Sequence, residues 1–217
     1  MKYDYELEMK NKDLRKQNIK ITQKSLSESW LKIKIKNFSE KWGFSYKKVE
    51  NEIKDNKIVA ASFAKDPSKQ NFYQTQALFF LNSMEFVERA EQLPSSGSNS
   101  IFIVDGKLLK GSEILEKKNH KSIDFKITLK NRRIIFASHK YTKESGGAQD
   151  NQRNDLINFV FEAEKYPNND FIFAVIADGE YYKKDKTWIE FVKNKADSKV
   201  RILTMENFED EIKNYDK

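Results

Sequence analysis

The sequence predicts an α/β fold, a mixed sheet flanked by helices, with a helical section at the N-terminal end. Two patterns predict it. From residue 100 onward, segments typical of strands and helices follow in the order strand, strand, strand, helix, strand, strand, helix. Before residue 100, apolar residues recur at helical spacing within a highly charged chain. At 217 residues, the chain is long enough to bury a core of its own.

The helical N-terminal section is predicted over residues 1–70 and is expected to pack on the core. Within it, Leu31, Ile35, Phe38 and Trp42 fall on one face of a helix. The run LKIKIK in the same stretch alternates apolar and charged residues as a half-buried strand does. A strand therefore stays open as an alternative for this stretch.

The predicted core, residues 71–217, begins with a second helix. Ala77, Leu81 and Met84 share one face of this helix, which is predicted to end near Leu93, just before a proline. Strands are then predicted from apolar runs and alternation at residues 101–104, 122–129, 133–138, 171–177 and 200–204. Further helices are predicted over residues 150–166 and 206–215.

The composition of the chain limits the partners and metal sites that can be expected. The chain has 40 Lys and Arg against 33 Asp and Glu, a net charge of +7, which favours an anionic partner such as nucleic acid. A generally lysine-rich composition would give the same charge. There are no cysteines and two histidines, which excludes disulfides and makes a zinc site of the usual kind very unfavourable. A catalytic metal would have to be held by carboxylates, which favours Mg²⁺ or Mn²⁺.

Targeting signals are not evident in the sequence. No apolar stretch is long enough to cross a bilayer, and the N-terminal run MKYDYELEMKNKDLRK is charged throughout, without the apolar centre of a secretory signal. We therefore expect a cytoplasmic protein with no membrane partner.

Two residues suited to phosphodiester chemistry lie on neighbouring predicted strands. Asp124 is near the start of one strand and Lys140 at the end of the next, and the short link between the strands predicts an antiparallel hairpin. A two-residue turn would set Asp124 opposite Ala137 and leave Ser138 and Lys140 on the other face. A three-residue turn or a bulge would bring Asp124 and Lys140 to the same face.

A carboxylate and an ammonium group at one sheet edge suit phosphodiester hydrolysis. The carboxylate can hold a hard divalent cation, which polarises a phosphoryl oxygen and acidifies a bound water. The ammonium of Lys140 can stabilise the charge that develops on the phosphate. Asp and Lys on neighbouring strands also occur as plain solvated pairs, so this alternative stays open.

The segment Ser-Ile-Asp124-Phe, a hairpin, and then Ser138-His139-Lys140 before a helix resembles the core of the PD-(D/E)xK nucleases. The stretch from His139 to Gln152 is similar to the segment after the catalytic lysine in several type II restriction endonucleases. The resemblance implies a helix-strand-strand-strand-helix-strand core and Mg²⁺-dependent, sequence-specific cleavage of double-stranded DNA. It also implies a homodimer and no organic cofactor. Asp124 would hold Mg²⁺ (or Mn²⁺), Lys140 would assist the attacking water, and Ser138 would position water or metal.

The chain departs from the family pattern at one position. The family places Asp or Glu two residues before the lysine, where this chain has Ser138. Acidic residues elsewhere could substitute, and Asp105 and Glu88 are predicted as metal ligands beside Asp124. The other candidates are Glu85 on the predicted upstream helix, Glu144 and Asp150. Three alternatives stay open: an inactive relative that binds DNA, a repair nuclease, and a junction nuclease of the same fold.

Polar residues near the start of the helix at 150–166 are candidates for DNA contact. Helix starts bind phosphates, and Gln, Asn and Arg can pair with base edges. The candidates are Lys143, Gln149, Asn151, Gln152 and Arg153. Asp150 or Asn151 would also serve as an ordinary N-cap. The N-terminal section is expected to grip DNA or to form the dimer, and His139 is expected to be a packed histidine on the opposite face from Lys140.

Overall fold

A computed structural model describes residues 3–66, 71–114, 120–143 and 147–215. The chain divides into two compact units, Met1–Phe72 and Tyr73–Lys217, called unit 1 and unit 2 below. The α/β character predicted from the sequence is present in unit 2, which contains a mixed sheet and helices. No described helix combines the length and the apolar character needed to cross a bilayer.

Unit 1 is helical in its described part. Its helices are α1 Tyr3–Lys24, α2 Ser29–Trp42, α3 Tyr46–Asp55 and α4 Lys57–Phe63. The side chains of Leu31, Ile35 and Ile53 are fully buried in its core. Ser45 caps α3 by accepting from the N–H of Lys48, and Asn56 caps α4 in the same way.

The stretch LKIKIK lies inside α2, so the helix prediction is confirmed there. The alternation does not mark a strand, because Ile33, between the buried Leu31 and Ile35, is 59% exposed. Trp42, on the predicted buried face, is also 58% exposed. Gly43 ends the helix with φ 70°, a left-handed conformation that glycine adopts without steric cost.

Unit 2 contains the sheet that carries the candidate site. Its first element is α5 Phe72–Asn82, whose first residue is the last of unit 1. The elements that follow are β1 Val87–Gln92, β2 Ile101–Val104, β3 Lys107–Lys110, β4 Phe125–Leu129, β5 Ile134–Tyr141, α6 Gly147–Glu164, β6 Phe171–Asp178, α7 Glu180–Lys184, α8 Lys186–Asn194, β7 Val200–Leu203 and α9 Phe208–Tyr215. The main sheet has the order β1-β4-β5-β6-β7. The β1–β4 and β4–β5 pairs are antiparallel, and β5–β6 and β6–β7 are parallel. The parallel β5–β6 pair is joined by α6, as a parallel connection requires a crossover.

The prediction of a helix that runs to Leu93 is wrong in its second half. Helix α5 ends at Asn82, and Val87–Gln92 is the edge strand β1. The register of β1 against β4 shifts at Glu88, so Val87 and Ala90 both point into the core although they are three residues apart. This spacing imitates a helical face, and it explains why the pattern predicted a helix.

The strand predicted at 101–104 is present as β2, but it does not join the main sheet. It pairs with β3 in a two-stranded sheet, closed by a turn in which Asp105 has φ 48° and Gly106 has φ 70°. Two positive φ values in a two-residue turn suit a tight hairpin. A Cβ at Gly106 would collide with the backbone carbonyl of Lys165, so this turn packs closely on the end of α6.

Helix α6 covers one face of the sheet. Leu156, Val160 and Ala163 are fully buried and pack with Phe136 and Phe173 from β5 and β6. This packing places the start of α6 next to the carboxyl end of β5, where the candidate site lies.

Candidate active site

The β4–β5 connection sets the register of the site. Its loop has three residues, and the third, Arg132, adopts a left-handed conformation with φ 72°. The N–H of Arg132 donates to the carbonyl of Leu129 at 2.8 Å, which closes the turn. Beyond the loop, Phe125 pairs with Ala137. A three-residue turn is thus present, and it removes the one-residue offset that a two-residue turn would create.

This register brings Asp124 beside Ser138 and Lys140 on one face of the hairpin. The Ser138 hydroxyl donates to Oδ2 of Asp124 at 3.3 Å, and Nζ of Lys140 lies 3.5 Å from the same oxygen. The structure therefore brings together the three residues that the sequence predicted as catalytic. The side chain of Asp124 is 11% exposed and that of Lys140 is 22% exposed, so the group is largely shielded but can be reached from solvent.

Two further donors fix the Asp124 carboxylate. The backbone N–H of His139 donates to Oδ2 at 2.8 Å, and Nε2 of Gln74 on α5 donates to Oδ1 at 2.8 Å. Gln74 is held in turn by Nε2 of Gln92 on β1, which donates to its Oε1 at 3.0 Å. Donors on both oxygens restrict the orientation of the carboxylate. The result is a preorganised carboxylate with an ammonium group at its side.

The glutamines Gln74 and Gln92 were not predicted from the sequence. Gln74 is 50 residues from Asp124 in the chain, and no motif links the two. Next to Gln74, the ring of Tyr73 stacks on that of Tyr141 at a centroid distance of 4.0 Å, which ties α5 to the end of β5. A polar residue at the start of a helix that precedes the first strand was the only signal available for Gln74.

His139 lies on the other face of the sheet, as predicted. Its side chain is 1% exposed, and its Nε2 is 3.2 Å from Oδ2 of Asp178. Oδ1 of Asp178 accepts from the N–H of Met205 at 2.8 Å. His139 and Asp178 thus form a buried polar pair behind the candidate site, and Asp178 was not among the residues predicted from the sequence.

The structure does not bring the predicted second metal ligands to Asp124. Asp105 lies in the β2–β3 turn with its side chain 84% exposed, and it pairs with Lys165 beyond the end of α6 at 3.4 Å. Glu88 is not on a helix but on β1, in the bulge beside Thr128 and Leu129. Since β4 runs from that bulge to Asp124 at about 3.3 Å per residue, Glu88 is on the order of 13 Å or more from Asp124.

The other acidic candidates do not complete a carboxylate cluster either. Glu85 follows α5 in the turn before β1. Asp150 accepts from the Tyr181 hydroxyl at 2.9 Å and pairs with Arg153 at 3.3 Å. Glu144 lies outside the described residues. Within the part of the chain that the structure describes, no group of three His, Asp or Glu residues could hold a metal ion.

The residues predicted to contact DNA differ in their surroundings. Arg153 lies in an ion-pair network, with Nη1 3.0 Å from Asp185. Burial lowers the pKa of Arg153, but the charges of Tyr181 and Asp185 outweigh it and raise the pKa above its usual value. Gln152 accepts from the Thr142 hydroxyl at 2.8 Å.

The remaining DNA-contact candidates are on the surface or outside the described residues. Lys143 and Asn151 are exposed. The backbone of Gln149 belongs to α6, but its side chain is outside the described part of the chain. The surface position of Lys143 and Asn151 is compatible with contact to a large polyanion.

The residues at the site offer few ligands for a hard cation. Mg²⁺ is commonly held by one or two carboxylates, with waters and substrate phosphates completing its shell. Asp124 offers one carboxylate, and Ser138 offers a neutral oxygen 3.3 Å from it. These residues fit a Mg²⁺ ion that takes the rest of its ligands from water and the substrate.

Comparisons of this chain with protein-family models, with curated proteins and with solved structures found no match. The geometry around Asp124 and Lys140 is therefore the basis on which a function can be assigned.

Proposed function

We propose that this chain is a Mg²⁺-dependent nuclease of the PD-(D/E)xK type that hydrolyses phosphodiester bonds in double-stranded DNA, as type II restriction endonucleases do. The observation that carries the proposal is the hairpin register, which sets Asp124, Ser138 and Lys140 on one face with Lys140 3.5 Å from the carboxylate. Asp124 and Lys140 in this arrangement match two of the three positions of the PD-(D/E)xK motif.

The order of elements supports the same proposal. The run α5, β1, β4, β5, α6, β6 has the helix-strand-strand-strand-helix-strand order that the resemblance implies, with the β2–β3 hairpin inserted after the first strand. The strands β1, β4, β5 and β6 are also consecutive neighbours in the sheet. The order along the chain and the adjacency of these strands therefore support the proposal.

Each residue has a role that follows from its contacts. Asp124 would bind Mg²⁺ together with the hydroxyl of Ser138, and Mn²⁺ could substitute. The bound ion would polarise a phosphoryl oxygen and acidify a water. Lys140 would stabilise negative charge on the phosphate, because its ammonium stays beside the carboxylate and remains 22% exposed. Gln74 would keep the carboxylate oriented through its bond to Oδ1.

A homodimer would cut both strands of the duplex. Two copies related by a two-fold axis present the same site to each strand of a palindromic sequence. This part of the proposal follows from the symmetry of duplex DNA and from the resemblance.

The second candidate function is a DNA-binding relative that does not cleave. One specific observation favours it: within the described residues only one carboxylate serves the site, and both of its oxygens already accept hydrogen bonds. A site with a single negative charge binds a divalent cation weakly. Cleavage assays decide between the two candidates.

The test is incubation of long duplex DNA with the protein and Mg²⁺, beside the same mixture with EDTA. Discrete Mg²⁺-dependent fragments are expected, and sequencing of their ends would give the recognition site. Lys140→Ala should lower the rate by at least about 10²-fold, because it removes the charge beside the reacting phosphate, while DNA binding persists. Lys130→Ala, in the hairpin loop at the other end of β4, is the control. A lack of cleavage with both Mg²⁺ and Mn²⁺ would favour the binding relative.

A further inference from the structure

The excess positive charge of the chain is confined to unit 1. Residues 1–72 contain 17 Lys and Arg and 10 Asp and Glu, a net charge of +7. Residues 73–217 contain 23 Lys and Arg and 23 Asp and Glu, so unit 2 has no net charge. A generally lysine-rich composition does not explain this division, because the longer unit has equal numbers of acidic and basic residues.

Part of this charge forms a row on α1. Lys12, Lys16, Lys20 and Lys24 recur at every fourth residue, and all four are exposed. Residues four apart are neighbours on the surface of a helix, so these four side chains make one continuous strip, the α1 lysine row. At about 1.5 Å per residue, the row is about 18 Å long.

The described part of α1 places one acidic side chain beside the α1 lysine row. Among the side chains of α1 that the structure describes, the acidic one is Asp13, and it pairs with Lys16 at 3.6 Å with both groups well exposed. An exposed pair of this kind is weak and exchanges readily for a stronger anion. Over the described side chains of α1, the row therefore carries four lysines against one weakly paired carboxylate.

We propose that the α1 lysine row binds the phosphate backbone of duplex DNA and supplies affinity that is independent of base sequence. The choice of duplex DNA as the polyanion rests on the proposed function. Along one strand phosphates recur every 3.4 Å of the helix axis, so a row of about 18 Å covers about five base pairs. Lysine acts on phosphate as a point charge and does not read base edges. Unit 1 then contributes affinity, and unit 2 contributes the chemistry.

An anionic membrane is the other large polyanion that lysines bind. A helix that lies in a bilayer interface needs a broad apolar face of Trp, Phe or Leu opposite its lysines. In the described part of α1, the large apolar residues with substantial exposure are Met9 and Ile21. Two scattered apolar side chains do not form such a face, and this favours DNA.

The test compares two variants of the full-length protein that lose the same charge. The row variant carries Lys12→Gln, Lys16→Gln, Lys20→Gln and Lys24→Gln. The matched control carries Lys107→Gln, Lys130→Gln, Lys186→Gln and Lys193→Gln, four exposed lysines of unit 2. Gln and Lys have nearly the same helix propensity, so α1 is expected to persist, and circular dichroism melting checks this. Binding to a labelled duplex of arbitrary sequence is measured by fluorescence anisotropy in EDTA, over a range of salt concentrations.

The row variant should bind at least about tenfold more weakly than the control near physiological salt. Its plot of log K against log salt should be flatter by about 0.9 for each lost phosphate contact, up to about 3.6 for four. If the row variant unfolds, the four single substitutions replace it, each with an expected loss of about 0.9 in slope. Equal behaviour of row and control variants would overturn the proposal, as would row-dependent binding to phosphatidylserine vesicles without binding to DNA.

Measurement in EDTA separates this proposal from the proposed hydrolysis. A wild-type protein that binds DNA through the row but never cuts it contradicts the nuclease function and supports this inference. If the row variant cuts DNA as well as the wild type and binds it as tightly, the nuclease function is supported and this inference is contradicted. Lys140→Ala should flatten the salt dependence by no more than one phosphate contact, about 0.9 in slope, since it leaves the α1 lysine row unchanged.

Discussion

The backbone N–H of His139 donates to Oδ2 of Asp124 at 2.8 Å, while the imidazole of His139 lies on the opposite face of the sheet. The candidate catalytic carboxylate is thus held by the main chain of a residue whose side chain is packed elsewhere. Such a contact depends on the strand register and not on the identity of residue 139. The site therefore relies on the β4–β5 hairpin for its geometry, and side-chain donors refine it.

Gln74 is the side-chain donor whose loss should matter most. Gln74→Ala removes the bond to Oδ1 of Asp124 and frees the carboxylate to rotate. We expect kcat/KM for DNA cleavage to fall by about 10-fold to 100-fold, about 1.4 to 2.8 kcal/mol, with DNA binding in EDTA unchanged. A rise in the Mg²⁺ concentration needed for half-maximal rate would mark a role at the metal, which a purely structural defect would not produce.

Gln92→Ala is the matched control for this prediction. It removes the bond to Oε1 of Gln74 and leaves the bond from Gln74 to Asp124 in place. Its effect on the rate should be smaller than that of Gln74→Ala. A larger effect from Gln92 would show that Gln74 is not the group that positions the carboxylate.

Ser138→Asp should strengthen metal binding. The new carboxylate would lie beside Oδ2 of Asp124, the oxygen that Ser138 now contacts at 3.3 Å. Two neighbouring carboxylates repel one another without a cation and bind a divalent cation more tightly. In EDTA the variant should melt several degrees below the wild type, since about 1 kcal/mol shifts Tm by roughly 2–4 °C at this size.

Added Mg²⁺ should reverse this loss in Ser138→Asp and raise its Tm more than that of the wild type. Ser138→Asn, which adds similar bulk without charge, separates repulsion from steric strain. If Mg²⁺ leaves the Tm of Ser138→Asp unchanged, the face formed by Asp124 and residue 138 does not bind the ion.

The sequence was sufficient to predict the hairpin and the candidate residues on it, but not its register. Alternation at Phe125, Ile127 and Leu129 marks β4 clearly, and the polar loop after it predicts the turn. The register depends on Arg132 adopting φ 72°, a conformation that residues other than Gly adopt infrequently. No local pattern distinguishes that outcome from a two-residue turn.

Long-range packing sets the limits of the other predictions. The pattern at strand β1 predicted a helix because the bulge at Glu88 puts Val87 and Ala90 on one face with helical spacing. Asp105 was predicted as a ligand because it follows a strand, yet that strand belongs to a separate hairpin. The role of Gln74 depends on a contact across 50 residues, which periodicity cannot reveal.

Arg132→Gly should stabilise unit 2 without changing the site. A residue with a Cβ in the left-handed region costs about 1 kcal/mol, and Gly avoids that cost but has more freedom in the unfolded chain. We expect a net gain of about 0.5 kcal/mol in the free energy of unfolding, measured by urea denaturation, with unchanged cleavage. Lys130→Gly, in the same loop but without a positive φ, should stabilise nothing. A loss of stability in Arg132→Gly would mean that the Arg132 side chain contributes more than its backbone strain costs.

Asp185 should make a contribution to stability that depends on pH. Burial raises the pKa of Asp185, but the N–H of Trp188, the hydroxyl of Tyr181 and the charge of Arg153 outweigh it, so the pKa lies below its ordinary value. A group with a lowered pKa in the folded state stabilises the protein above its unfolded pKa, near about 4, and this stabilisation is lost as the pH falls through the folded value. The contribution of Asp185 is therefore complete at neutral pH and disappears in acid.

Asp185→Asn tests this contribution, because Asn can still accept from the N–H of Trp188 at the start of α8. At pH 7 the variant should be about 2 kcal/mol less stable than the wild type, since it leaves Arg153, whose side chain is 15% exposed, without its nearest carboxylate. As the pH falls through the unfolded value near about 4 and then through the lowered folded value, the difference between variant and wild type in urea denaturation should shrink steadily. Asp197→Asn, at an exposed position, should change stability little over the same pH range. A deficit in Asp185→Asn that stays constant from pH 7 to pH 3 would assign its effect to packing instead of charge.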